Sequence, residues 1–162
     1  MARDICILDT SILCELVEVP HLCHAAEEVL EQLKQKIRGN ETLLLPLTAI
    51  LETGNHIGQN GSSHQRRDAA QRLVKMVQDA VGGRAPFVPI QTLDGEVVAR
   101  WLQEFPQWVQ RNDARGKGSG LGDLTLKQDW EAQRQLNPRS RVYIWSLDRQ
   151  LQGYDSGAPR FR

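Results

Sequence analysis

The sequence predicts an α/β protein built on a parallel sheet. Three observations carry that expectation. Short apolar runs such as "ICIL" at 5–8 and "TLLLP" at 42–46 have the unbroken hydrophobicity of strands buried on both faces. Amphipathic helical stretches stand between such runs. The two kinds alternate along the whole chain, with no internal repeat and no break in composition, so 1–162 reads as one domain.

In order, Ile5–Leu8 is the first strand and Ser11–Val17 a short helix. Pro20 interrupts, and a second helix is expected over Leu22–Ile37, with Ala26, Val29, Leu30, Leu33 and Ile37 on one apolar stripe. "RGNET" turns the chain into a second strand, Thr42–Pro46. Thr48 is placed to cap the next helix, which reaches Ile57. "GQNGSSH" is a turn signal, followed by a long helix over Gln65–Val81 that ends at Gly82-Gly83. "PFVPI" is a brief third strand weakened by its prolines. A helix over Leu93–Gln110 carries Pro106 as a kink or break. "RNDARGKGSGLG" is a polar, glycine-rich loop, Asp123–Gln135 a helix and "VYIWS" the fourth strand. Asp148 opens a last short turn before an irregular tail, "GYDSGAPRFR".

Composition narrows the function classes. The chain has 162 residues, 40% apolar and 25% charged, with 20 Lys+Arg against 20 Asp+Glu. A formal net charge of zero excludes a bulk cationic protein that coats nucleic acid, though not a local basic groove. No apolar stretch approaches the roughly 20 residues of a membrane span. The N-terminus carries Asp4 where a signal peptide carries none. Cys6, Cys14 and Cys23 are odd in number and lack metal-type spacing, so reduced thiols in a cytoplasmic protein are expected.

Asp9 sits inside the apolar run "ICILDTSIL". A charge there needs compensation. In open parallel sheets ligands bind just beyond the carboxyl ends of the strands. Asp9 follows the first strand, Glu52 lies one turn after Thr48, Asp123 opens a helix after the glycine loop, and Asp148 closes the fourth strand. All are expected near one edge of the sheet. Carboxylates gathered without cations repel one another. Mg²⁺ or Mn²⁺, hard cations that take oxygen ligands, would remove the difficulty. Each acid also has a bland reading: Asp9, Asp123 and Asp148 as helix caps, and Glu52 as the partner of His56. Several strands ending in an acid on one edge favour the metal site.

These stretches resemble the PIN domain, a metal-dependent nuclease family that includes toxins of bacterial toxin–antitoxin pairs. "LDTSIL" is similar to its opening motif, with Asp9 as first metal ligand and Ser11 as a supporting hydroxyl. "PLTAILETG" resembles the second motif through Glu52, "GLGDLTL" the third through Asp123, and "SLDRQL" the fourth through Asp148, with Ser146 where the family often has Thr. The resemblance implies a three-layer α/β/α fold with a mainly parallel sheet of four to five strands. It implies one or two Mg²⁺ or Mn²⁺ ions held by the acids, and hydrolysis of phosphodiester bonds in single-stranded RNA. It also brings a protein antitoxin or other regulatory partner, and a homodimer, into the expected partners. The alternative within the same fold is an RNA-binding or assembly subunit without nuclease activity.

Arg115 and Lys117 in the glycine loop, and Arg149 beside Asp148, are the candidate RNA contacts. The other basic residues, including Arg66, Arg67, Arg72 and Lys75, read as solvated surface. "HLCH" lacks the further ligands zinc requires. "RGKGSG" lacks the spacing of a phosphate-binding loop. Asp129 lies off the helical face of Asp123 and stays outside the site. The four tryptophans are expected in packing rather than base stacking.

Overall fold

The computed structural model describes residues 2–90, 94–110 and 120–157. Along the chain these form β1 (Ile5–Leu8), α1 (Thr10–Leu16), α2 (Ala26–Arg38), β2 (Thr42–Pro46), α3 (Leu47–Gln59), α4 (Ser63–Val81), β3 (Phe87–Ile90), α5 (Gly95–Leu102), α6 (Phe105–Trp108), α7 (Leu121–Leu136), β4 (Val142–Trp145) and α8 (Arg149–Gln152). The sheet is all parallel, in the order β3-β2-β1-β4. Ile5 stands opposite Thr42 on one side and Val142 on the other.

Alternation along the strands builds a layer on each face. Cys6 and Leu8 of β1, Leu43 and Leu45 of β2, and Tyr143 and Trp145 of β4 pack toward α1, α2, α3 and α4. Ile5, Ile7, Leu44, Val142 and Ile144 pack toward Leu126 of α7 and Leu151 of α8. The strand interiors are therefore buried on both sides, which is why they read as continuous apolar runs. β3 is half-exposed, and Pro89 is tolerated there because the strand lies at an edge. At the opposite edge the tail folds back on β4: Ile144 N–H donates to the Tyr154 carbonyl at 3.0 Å, and Ser156 N–H to Val142 at 2.9 Å. The stretch 154–156, expected to be irregular, thus covers that edge with a single antiparallel bridge, Tyr143 to Asp155.

Helix ends shift by one or two residues from the expected bounds at several places, and three helices differ in a way that has a physical reason. α2 begins at Ala26 rather than Leu22, because its cap is supplied from elsewhere in the chain. The buried Glu15 carboxylate of α1 accepts from His24 N–H at 3.0 Å and Ala25 N–H at 2.9 Å. Of the expected α2 stripe, Val29 is fully buried but Leu30 and Ile37 remain almost half exposed. α3 begins directly at the end of β2 with Pro46 as its N-cap, so Thr48 lies inside the helix and does not cap it. The helix expected over 93–110 is two, α5 and α6, with Pro106 in the first turn of α6, where its missing N–H costs nothing. No described helix is long and apolar enough to cross a membrane. Cys6, Cys14 and Cys23 are all unpaired thiols.

Candidate functional site

All strands point their carboxyl ends to one edge of the sheet. β1 lies between β2 and β4, so the connection leaving β1 runs to one side while β4 closes the other. In open α/β sheets such a reversal of strand order, here between β1 and β4, is where ligands bind beyond the carboxyl ends of the strands. Asp9 and Ser146 are the first residues past those ends.

Asp9 is 5% exposed and caps α1. Its Oδ2 accepts from the Ser11 hydroxyl at 2.7 Å, the Ser146 hydroxyl at 2.7 Å and Ser11 N–H at 3.3 Å. Among the described residues, Asp9 is met by neutral donors and not by a cation. The two serines lock the strand ends together: Ser11 Oγ also accepts from Leu147 N–H at 3.0 Å, and Ser146 Oγ from Asp148 N–H at 2.9 Å. Asp148 is exposed and caps α8, with Oδ1 accepting from Gln150 N–H at 2.9 Å.

Glu52 reaches the same edge from α3. Its Oε2 accepts from the Thr10 hydroxyl at 2.7 Å. Its Oε1 lies over Gly122 of α7, so near that a Cβ on residue 122 would stand 1.8 Å from it. Glycine is therefore required at 122 for Glu52 to occupy this place. The next residue, Asp123, lies in the first turn of α7. Its carboxyl is pushed up to about 6, first by burial, then by the charges of Asp9, Glu52 and Asp148, against a lowering hydrogen bond from the Gly120 backbone.

The structure thus brings Asp9, Glu52, Asp123 and Asp148 into one electrostatic cluster, from four different elements. The bland readings hold as well for Asp9 and Asp148, which cap helices while facing the cluster. Asp123 is not a cap; that place belongs to Gly120. Glu52 bonds Thr10 rather than His56. The described carboxylates sense one another's charge without being drawn to a single coordination point: among the described residues, no three His, Cys, Asp or Glu side chains form a ready metal-holding group. The donor chemistry nonetheless suits a hard cation. It is all oxygen, and one oxygen each of Asp9, Glu52 and Asp148 is fixed by a hydroxyl or a backbone N–H.

Arg115 and Lys117 lie outside the described residues. Arg149 is exposed as the first residue of α8, next to Asp148. On α4, Arg72 is no free surface charge: its guanidinium donates to the Val17 carbonyl at 2.8 Å and the Glu18 carbonyl at 3.2 Å. In "HLCH", His24 bonds the His21 carbonyl and Cys23 the Glu15 carbonyl, both backbone partners. Trp108, Trp130 and Trp145 are packing residues whose indole N–H groups reach Gly120, Val142 and Gln32. Sequence reasoning passed over Thr10 and Gly122. The only signal for Thr10 was its place inside "DTS"; for Gly122 it was the repeated glycine before Asp123.

Comparison with protein-family models, curated proteins and solved structures finds no match.

Proposed function

We propose that this protein hydrolyses phosphodiester bonds in single-stranded RNA, with Mg²⁺ or Mn²⁺ held by Asp9, Glu52, Asp123 and Asp148. The observation that supports this reading is the gathering of these carboxylates beyond the carboxyl ends of β1 and β4. A cluster of this kind is electrostatically costly without a divalent cation. When bound, such an ion supplies an activated water and screens the charge on the phosphate. The chain's own residues set the geometry. Ser11 and Ser146 hold Asp9 through its Oδ2. Thr10 orients Glu52, and Gly122 leaves it room. Arg149 stands where a phosphate backbone passing Asp148 would meet a cation. No Ser or Cys nucleophile is needed. The order and form of the motifs, which resemble those of PIN nucleases, support the same reading.

The test is cleavage of a mixed single-stranded RNA pool by the full chain in Mn²⁺, in Mg²⁺ and in EDTA. Cleavage in the metals, its loss in EDTA and its loss in Asp9→Asn are expected. RNA binding without cleavage under all conditions would overturn the hydrolase and leave an RNA-binding or assembly subunit.

A further inference from the structure

Asp129 lies on α7 but apart from the acid cluster. It lines a cavity of about 100 Å³ between the start of α3, the end of β3 and α5. The walls are apolar, formed by Leu47, Ile90, Val98 and Trp101, with hydroxyls from Thr48 and Thr125. Thr125 Oγ1 donates to the Gly122 carbonyl at 2.7 Å and lies 3.1 Å from Thr48 Oγ1. Asp129 is 8% exposed. Among the described residues it accepts no hydrogen bond and meets no cation, and burial alone pushes its carboxyl up to about 6. Every fully buried side-chain oxygen or nitrogen among the described residues has a partner. The carboxyl oxygens of Asp129 therefore keep some accessible surface, on a residue that lines this cavity.

A buried, unpaired carboxylate is costly, and a ligand that brings positive charge and N–H donors turns that cost into affinity. One carboxylate and two hydroxyls are too few oxygens for a hard metal ion. A phosphate would be repelled. The volume is below the roughly 150 Å³ that encloses one benzene, so a short chain suits it better than a fused ring base. Trp101 adds an aromatic wall that attracts cations. We propose that this cavity binds a small organic cation, an alkylammonium or alkylguanidinium group, with Asp129 as its counter-ion. The proposal does not rest on the nuclease reading.

The test titrates n-butylammonium, n-butylguanidinium and neutral n-butanol into the full chain at constant ionic strength, read by calorimetry and by the Trp101 indole N–H resonance. The cations should bind saturably, at least tenfold tighter than n-butanol. Asp129→Asn should remove that preference and leave n-butanol unchanged. Val98→Trp, which fills the cavity, should abolish binding of all of them. Should Asp129→Asn not fold, the comparison of cations with n-butanol on the wild type, together with Val98→Trp, decides. Binding of the cations no tighter than n-butanol, or undiminished by Val98→Trp, overturns the proposal, as does cation binding undiminished in a folded Asp129→Asn. Two further probes separate the sources. Binding of N-acetyl-arginine or N-acetyl-lysine methylamide as tight as that of the free cations supports a side chain of a partner protein. Binding of the free cations alone supports a free amine.

Discussion

At the scale of single residues, Asp9 shows how a charge can sit in an apolar run. Hydroxyl and N–H donors hold it without neutralising it, so its field is still felt at Asp123. Asp9→Asn keeps an oxygen for the same donors and should fold. It should let the Asp123 carboxyl fall from about 6 toward the ordinary carboxylate range, read by ¹³C NMR titration. On the proposed mechanism it should also lower cleavage by about 100-fold or more, since removing one well-placed electrostatic group has effects of that order. Gly122→Ala is a second residue-scale prediction. The added methyl meets the end of a flexible side chain, and inside a helix Ala is favoured over Gly by about 1 kcal/mol, so the fold should lose little. Glu52 must leave Thr10, however, and cleavage should fall far more than stability does. A Gly122→Ala protein with wild-type turnover would remove Glu52 from the site.

At the scale of elements, the cap of α2 is a long-range one. Glu15 of α1 accepts from the N–H groups of His24 and Ala25 just ahead of α2, at the end where the helix dipole also favours a negative charge. Glu15→Ala should cost about 2–3 kcal/mol, because hydrogen bonds to a buried charge are lost. A Tm lower by several degrees in thermal melts would show it. The same contact explains what the sequence could and could not reveal. β1, β2 and β4 were legible because strands covered on both faces leave unbroken apolar runs. The caps Asp9 and Asp148 were legible because an Asp cap is local, reaching an N–H two residues on. The start of α2 was not, since its cap is not local. Thr48 looked like a cap by the same local rule, yet α3 follows β2 without a gap and its N-terminus is set at Pro46. Of the clustered acids, Asp9 and Asp148 were legible from their positions after strands, Glu52 and Asp123 from their places early in helices. Thr10 and Gly122 were not, because each matters only through Glu52, which tertiary packing brings to them. Asp129 lies off the helical phase of Asp123, and burial alone, not the clustered acids, raises its carboxyl. Its own cavity is formed by α3, β3 and α5, whose proximity no local pattern encodes.

At the scale of the whole molecule, two carboxyls, Asp123 and Asp129, are raised to about 6. The native state then holds protons that the unfolded chain releases between pH ~4 and ~6, so both groups favour the fold at low pH and stop doing so as pH rises through 6. Asp79 and Asp155 are lowered by Lys75 and Arg141, and their contribution is lost in stronger acid. Melting temperature should therefore rise as pH falls from 7 to about 5, and the rise should be smaller in Asp129→Asn. Millimolar Mn²⁺ should raise Tm at pH 7 by mass action, about 2.7 kcal/mol at a hundredfold excess over its Kd. That gain should shrink in Glu52→Gln and Asp148→Asn, and fade below pH 6 as Asp123 takes up its proton. Equal gains in all these proteins would place the ion elsewhere. The strand order has a temporal consequence. β1 is made long before β4, so its β4 side stays bare until residues 142–145 are synthesised, because Ile5 pairs with Val142. The Ser146–Asp9 bond, spanning 137 residues, cannot close earlier. Contacts so distant in sequence are late and slow to form. A chain stopped before β4 would present an open strand edge prone to aggregation and lack Asp148. A nascent chain on the ribosome thus carries an incomplete acid cluster until residues 142–148 have been synthesised.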